Sequence, residues 1–159
     1  MHGNMNIIFI DIDGVFSCTE TVAEYYERTG KTDGWQVFRK GAIKSLTYIL
    51  DNTNAMIVVH STWAYTKSLG YIQDKFMEYG LSREHYERFI DVAVSDRSHR
   101  GNRIQNWLNE HERIERIVIL DDSLDVEPYG DFLVFVNGDV GLTQKDAERA
   151  VQILNGGLM

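Results

Sequence analysis

The 159-residue sequence predicts an α/β fold on a mainly parallel sheet of about five strands. Three observations carry this. Short apolar runs alternate with segments of helical period along the whole chain. Those segments space their apolar residues as amphipathic helices do, as Phe38, Ile43, Leu46, Ile49 and Leu50 show. Three of the runs end abruptly in polar clusters, as strands do when their carboxyl ends line a site.

The first run, Asn6 to Ile10, passes straight into Asp11-Ile12-Asp13-Gly14-Val15. Gly14 lets the chain turn away with no β-carbon in the way. Residues 16–40 are polar and interrupted by Gly30 and Gly34, with a short helix over Thr21 to Arg28; they read as a flap or small cap. Phe38, Ile43, Leu46, Ile49 and Leu50 set a helix from Val37 to Asp51. Ala55 to Val59 is a buried strand that ends in His60-Ser61-Thr62-Trp63. A helix follows over Tyr65 to Tyr79, with Leu69, Ile72, Phe76 and Met77 on its apolar face and Gly80 as its stop.

Phe89 to Val94 is a third strand, interrupted by Asp91. The polar stretch from Ser95 to Gly101 leads into a helix that runs to Glu110 and carries Ile104, Trp107 and Leu108. Arg116 to Leu120 is the clearest later strand, and it runs into Asp121-Asp122-Ser123-Leu124-Asp125. Asp131 to Val136 is the fifth. Thr143 with Asp146 three residues on forms a capping pattern before a last helix carrying Ala147, Ala150, Val151 and Leu154.

The length suits one domain, 1–159, and neither a repeat nor an interdomain linker interrupts it. No apolar run approaches the ~20 residues that span a bilayer, so no membrane partner is expected. Met1-His2-Gly3-Asn4 lacks the pattern of a secretory signal. The lone Cys18 has no internal disulfide partner, which suits a cytoplasmic location, and nothing around it activates a thiol. A net charge of -8 argues against a nonspecific grip on nucleic-acid backbone, but leaves room for one phosphorylated end held by a local basic pocket and a metal.

Strand side chains alternate faces, so Asp11 and Asp13 leave the first strand on one side. A parallel sheet then brings the clusters at Asp11/Asp13, His60/Ser61/Thr62 and Asp121/Asp122/Asp125 to one edge. Carboxylates ~5 Å apart repel by about 3 kcal/mol per pair at an effective dielectric constant of ~20. A divalent cation removes that cost, and an oxygen-only ligand set favours Mg2+ over zinc. Each residue has an ordinary reading beside this one. Aspartates after strands form turns, Ser61 or Thr62 caps the next helix, Asp125 is a loop residue, and Arg100 is solvated. His60 reads as a structural residue and Trp63 and Trp107 as core.

These residues resemble the haloacid dehalogenase superfamily of phosphatases over nearly the whole chain. Asp11-Ile12-Asp13-Gly14-Val15 looks like its first motif, Ser61/Thr62 its second, and Ile119 to Asp125 its fourth. More narrowly, the chain is similar to the haloacid-dehalogenase domain associated with Swiss Army Knife RNA repair proteins. That likeness rests on the order of the first motif, Ser61-Thr62-Trp63, Arg100-Gly101 before Ile104 and Trp107-Leu108, Leu120-Asp121-Asp122, and Gly141-Leu142-Thr143. It departs from the pattern at His60, where a hydroxyl residue is usual, and at Ala64, where an arginine is.

The resemblance implies a Rossmann-like three-layer sandwich without a large cap domain, and a Mg2+-dependent phosphomonoesterase. Asp11 would be the nucleophile that becomes a phosphoaspartate, and Asp13 the general acid/base. The metal would be held by Asp11, the Asp13 backbone carbonyl and Asp121 or Asp122. Ser61, Thr62 and Arg100 would bind phosphate, with Arg103 one helical turn on as the alternative to Arg100. The partner would be a phosphorylated substrate such as a nucleic-acid end or a nucleotide. Two other readings stand beside the enzyme. One is a receiver-like signalling domain, whose acceptor aspartate would follow a middle strand where this chain has His60-Ser61-Thr62. The other is a noncatalytic phosphate-binding module.

Overall fold

The structure is a computed structural model that describes residues 4–94 and 99–156. Met1 to Gly3 of the leader and Ser95 to Ser98 of the polar stretch lie outside the described residues. The strands are β1 (Met5–Ile10), β2 (Met56–Val59), β3 (Phe89–Val92), β4 (Ile114–Asp121) and β5 (Leu133–Phe135). The helices are α1 (Thr19–Thr29), α2 (Lys40–Asp51), α3 (Leu69–Glu78), α4 (Arg100–Asn109) and α5 (Gln144–Leu154).

Among the described residues there is one five-stranded sheet, in the order β3-β2-β1-β4-β5, and every pairing in it is parallel. β1 therefore lies at the centre, with Ile10 opposite Val59 on one side and Leu120 on the other. Burial on both faces explains why Ile7 to Ile10 of β1 and Ile117 to Leu120 of β4 read as unbroken apolar runs. One face, with Ile8, Ile10, Ile57, Val59, Val118 and Leu120, packs against α2, α3 and α5. The other, with Ile7, Phe9, Val58, Ile117 and Ile119, packs against Ile104 and Trp107 of α4. Helices on both sides of the sheet make the three layers, and burying each such side chain contributes roughly 1.5–3 kcal/mol.

This division places the site. Asp11 has the parity of Ile7 and Phe9, Asp121 that of Ile117 and Ile119, and His60 that of Val58. All three therefore leave their strands on the α4 side.

Several boundaries differ from expectation for local reasons. The expected helix from Tyr65 begins at Leu69, because Ser61 caps a 3-10 turn over Thr62–Tyr65 and Ser68 separately caps α3 by accepting from the Tyr71 N–H. Arg100 is the first helical residue of α4 rather than part of the preceding loop. The expected fifth strand from Asp131 is reduced to Leu133–Phe135, because Gly130–Phe132 forms a 3-10 turn. The expected capping box is present, with the Thr143 hydroxyl accepting from Asp146 and the Asp146 carboxylate accepting from Thr143.

In the 16–40 segment, α1 buries none of its residues and a 3-10 turn spans Gly34–Gln36. Its ends are tied down. The Thr19 and Glu20 N–H groups donate to Gly138 and Asp139, and Arg39 donates to Leu142 from its side chain and to Phe16 from its backbone.

Candidate active site

Directly after β1 the chain turns on hydrogen bonds from the Val15, Phe16 and Ser17 N–H groups to the Ile12 carbonyl. Gly14 adopts φ +88°, in the left-handed region. Its missing β-carbon matters as much as its φ, since an ideal Cβ there would lie 2.1 Å from the Asp122 Oδ2. Gly138 leaves room for the same oxygen on another side, where a Cβ would lie 2.8 Å from it. Asp122 is thus seated between two glycines.

Asp11, Asp121 and Asp122 come together, with one oxygen of each within 4.8 Å of the others. Asp11 and Asp121 are buried, at 3% and 0% exposure. The Asp11 Oδ1 accepts the Ile12 N–H at 2.8 Å, and the Asp121 Oδ1 accepts the Ser123 N–H at 3.0 Å. Asp125 is exposed and stands outside the trio.

Arg100 reaches the trio from α4, with Nε 2.8 Å from the Asp121 Oδ2 and Nη2 3.5 Å from the Asp11 Oδ2. The Nε contact is off the hydrogen-bond direction and acts as a charge pair. A cation in the first turn of a helix opposes the helix dipole, so its place there is set by the carboxylates. Gly101 brings that helix end close: a Cβ on it would meet the Glu127 carbonyl oxygen at 1.9 Å. Arg103, the alternative phosphate-binding residue, turns elsewhere and donates from Nη1 to the His60 carbonyl at 3.3 Å.

Asp13 is half-buried and sits apart from the carboxylate trio. Its Oδ1 accepts from the Trp63 indole Nε1–H at 3.0 Å and from the Ser17 hydroxyl at 3.4 Å. Ser61 is buried and its Oγ accepts the Trp63 N–H at 3.2 Å, the capping geometry, while Thr62 beside it is exposed. Sequence reasoning read Trp63 as core, and it does pack on Phe38 at 5.6 Å. It missed that the same indole holds Asp13, a contact across 50 residues for which no spacing signal exists.

Burial governs the titrations. It raises Asp11 and Asp121 above the ordinary carboxylate range, and Arg100 opposes the rise in both. Burial also raises Asp13, against the hydrogen bonds from Trp63 and Ser17. Arg100 itself is lowered by burial but raised overall by Asp121 and Asp11. Burial, then the charges of Arg103 and Arg100, lower His60 to about 3, so it is a neutral imidazole. Its Nε2 lies 3.5 Å from the Asp121 Oδ2 without a hydrogen bond.

The trio fits a divalent cation. The Asp121 Oδ2 is buried with no hydrogen-bond partner among the described residues, and three carboxyl groups face a single guanidinium. All the donors are oxygens, as hard cations require. A second group, Asp51, Glu84 and His85, also brings ligand atoms together, but two of its members are exposed.

The family described as the haloacid dehalogenase (HAD) domain in Swiss Army Knife RNA repair proteins matches residues 7–147. That span includes every residue of the site. No curated protein and no solved structure matches the chain.

Proposed function

The chain belongs to the haloacid dehalogenase domain family of Swiss Army Knife RNA repair proteins, and from that premise we propose that it is a Mg2+-dependent phosphomonoesterase working through a phosphoaspartate. Its substrates are phosphorylated nucleic-acid ends or nucleotides. One observation carries the reading: two buried aspartates and Asp122 converge under Arg100, while Asp13, two residues past Asp11, is held apart by neutral donors.

Asp11, Asp121 and Asp122, with the Asp13 backbone carbonyl, would hold the cation. When bound, it offsets the repulsion among the carboxylates and stabilises negative charge gathering on the phosphoryl oxygens. The Asp11 carboxylate attacks phosphorus, the bond to the ester oxygen breaks, and protonated Asp13 gives its proton to that oxygen. A water then attacks the phosphoaspartate, passing its proton to Asp13. Inorganic phosphate leaves, and Asp11 is restored as a carboxylate.

The raised pKa of Asp13 suits the first step, because it keeps the acid form populated at higher pH. Arg100 neutralises charge beside Asp11, and Thr62 faces outward where it can donate to a phosphoryl oxygen. Ser61 supports the reading only indirectly, by setting the turn that carries Thr62 and Trp63. The same reading takes residues 1–159 as one domain with 16–40 as a flap, working in the cytoplasm.

The test is hydrolysis of phenyl phosphate. The protein should turn it over with Mg2+, stop on chelation, and lose the activity in Asp11→Asn. Asp13→Asn should cut turnover severely while still binding Mg2+, since its contribution to the metal is through the backbone. Unchanged turnover in Asp11→Asn would sink the nucleophile assignment.

A further inference from the structure

A cleft of about 410 Å³ opens beside the reaction centre, within the range of about 300–1,000 Å³ typical of small-ligand pockets. Three separate elements line it. Trp63, Tyr65 and Lys67 come from the turn after β2, Gln36 from the 16–40 segment, and Arg103 from α4. The Trp63 indole that forms part of its wall is the group that hydrogen-bonds Asp13.

The lining has a definite chemical character. It carries two aromatic rings, an amide and two cations, and among the described residues no carboxylate lines it. In a chain of net charge -8 that is a local reversal of sign. Arg103 is nearly buried and is anchored by the bond from its Nη1 to the His60 carbonyl. The Lys67 ammonium is steadied 4.8 Å from the centre of the Tyr71 ring. Rings that stack, an amide that reads polar edges and cations that take a phosphate are together what a nucleotide requires.

We propose that this cleft binds the leaving group, and that the leaving group is a terminal nucleoside whose other hydroxyl carries a second phosphate. The proposal rests on the phosphatase reading, since it is Asp13, as the acid facing the ester oxygen, that makes the Trp63 side the leaving-group side. The base lies against Trp63 and Tyr65 and meets the Gln36 amide. The second phosphate lies at Lys67 and Arg103. The site thereby selects an end of a strand over an isolated sugar phosphate, without a cap domain to enclose it.

The experiment uses the full chain carrying Asp11→Asn, with Mg2+, and titration calorimetry of three probes: ribose 5-phosphate, adenosine 5′-monophosphate and adenosine 3′,5′-bisphosphate. The monophosphate should bind about tenfold more tightly than the sugar phosphate, through the base. The bisphosphate should bind about tenfold more tightly again, and Lys67→Glu should remove that second step. Affinities within twofold across the three probes overturn the proposal, as does a second step that survives Lys67→Glu. A phosphotyrosine peptide that binds more tightly than the bisphosphate overturns it too. Phenyl phosphate hydrolysis by the unsubstituted protein separates the two readings. Hydrolysis without the nucleotide steps overturns the cleft alone, and the nucleotide steps without hydrolysis overturn the phosphatase alone.

Discussion

Replacing Gly14 by alanine should damage metal binding by a route that can be separated from its damage to the fold. The added Cβ would stand 2.1 Å from the Asp122 Oδ2 and 2.5 Å from its Cγ, far inside contact distance. Asp122 must swing out, and one of the three carboxylates that lie within 4.8 Å of one another is lost. The backbone adds its own cost, because φ +88° strains any residue with a β-carbon, by about 1–2 kcal/mol. For a chain of this size that is roughly 2–8 °C in Tm.

Gly30→Ala supplies the comparison. Gly30 has φ +70° and nothing within 4 Å of its would-be Cβ, so that variant carries the backbone strain alone. In EDTA both variants should melt several degrees below the parent by differential scanning fluorimetry. Magnesium titration should then divide them. Gly30→Ala should bind as the parent does, and Gly14→Ala about 10–100-fold more weakly, the usual range when a metal site loses its support. At saturating metal, a tenfold loss removes about 1.4 kcal/mol of linked stabilisation, roughly a further 3–6 °C. Parental Mg2+ affinity in Gly14→Ala would remove Asp122 from the ligand set and leave Asp121 in its place.

Three further outcomes are expected. Gly101→Ala drives a Cβ to within 1.9 Å of a backbone carbonyl that cannot rotate aside, so it should cost about 3 kcal/mol and reduce turnover by displacing the end of α4 that carries Arg100; parental Tm and kcat would refute this. Arg88→Ala removes three bonds, to Leu50, Thr53 and Ala55 carbonyls, that hold the end of α2 to the start of β2; it should lower Tm by roughly 4–12 °C and leave kcat alone, as a melt and a phenyl phosphate assay would record. In metal-free protein the raised Asp11 and Asp121 bind more protons folded than unfolded, so they cost stability progressively as pH rises above the ordinary carboxylate range of about 4. Magnesium displaces those protons, and its effect on Tm should therefore be larger at about pH 8 than at about pH 5.5; an equal increment at both would contradict it.

What the sequence makes legible is whatever repeats or alternates. The order of strands and helices follows from hydrophobic period, and the parallel sheet brings the clusters at Asp11, His60 and Asp121 to one edge; that α4 covers the face they share is read from the packing. Arg100 comes from the family resemblance and not from period or parity, with Arg103 as its alternative; in the fold it is Arg100 that reaches Asp121 and Asp11, while Arg103 donates to the His60 carbonyl. Illegible are the contacts made by chain closure. Nothing in the spacing distinguishes Ser68 from Ser61 as the cap of α3, and nothing announces that Gly138, 124 positions after Gly14, completes the seat of Asp122.

The surroundings of the two aspartates that follow β1 also bear on the separate roles proposed for them. Asp11 lies buried among charges, its oxygens committed to the Ile12 N–H and facing Arg100 and Asp121, so its reactivity is tied to whatever balances those carboxylates. Asp13 is half-buried and held by two neutral donors, and of the trio only the Asp122 charge acts on it, raising it after burial does. His60 fits the same division. A neutral imidazole behind Asp121 adds no positive charge, since burial, with the charges of Arg103 and Arg100 behind it, keeps it unprotonated. The balance of the carboxylate trio is thereby left to one guanidinium and the proposed divalent cation, and loss of either should be felt at Asp11 before it is felt at Asp13.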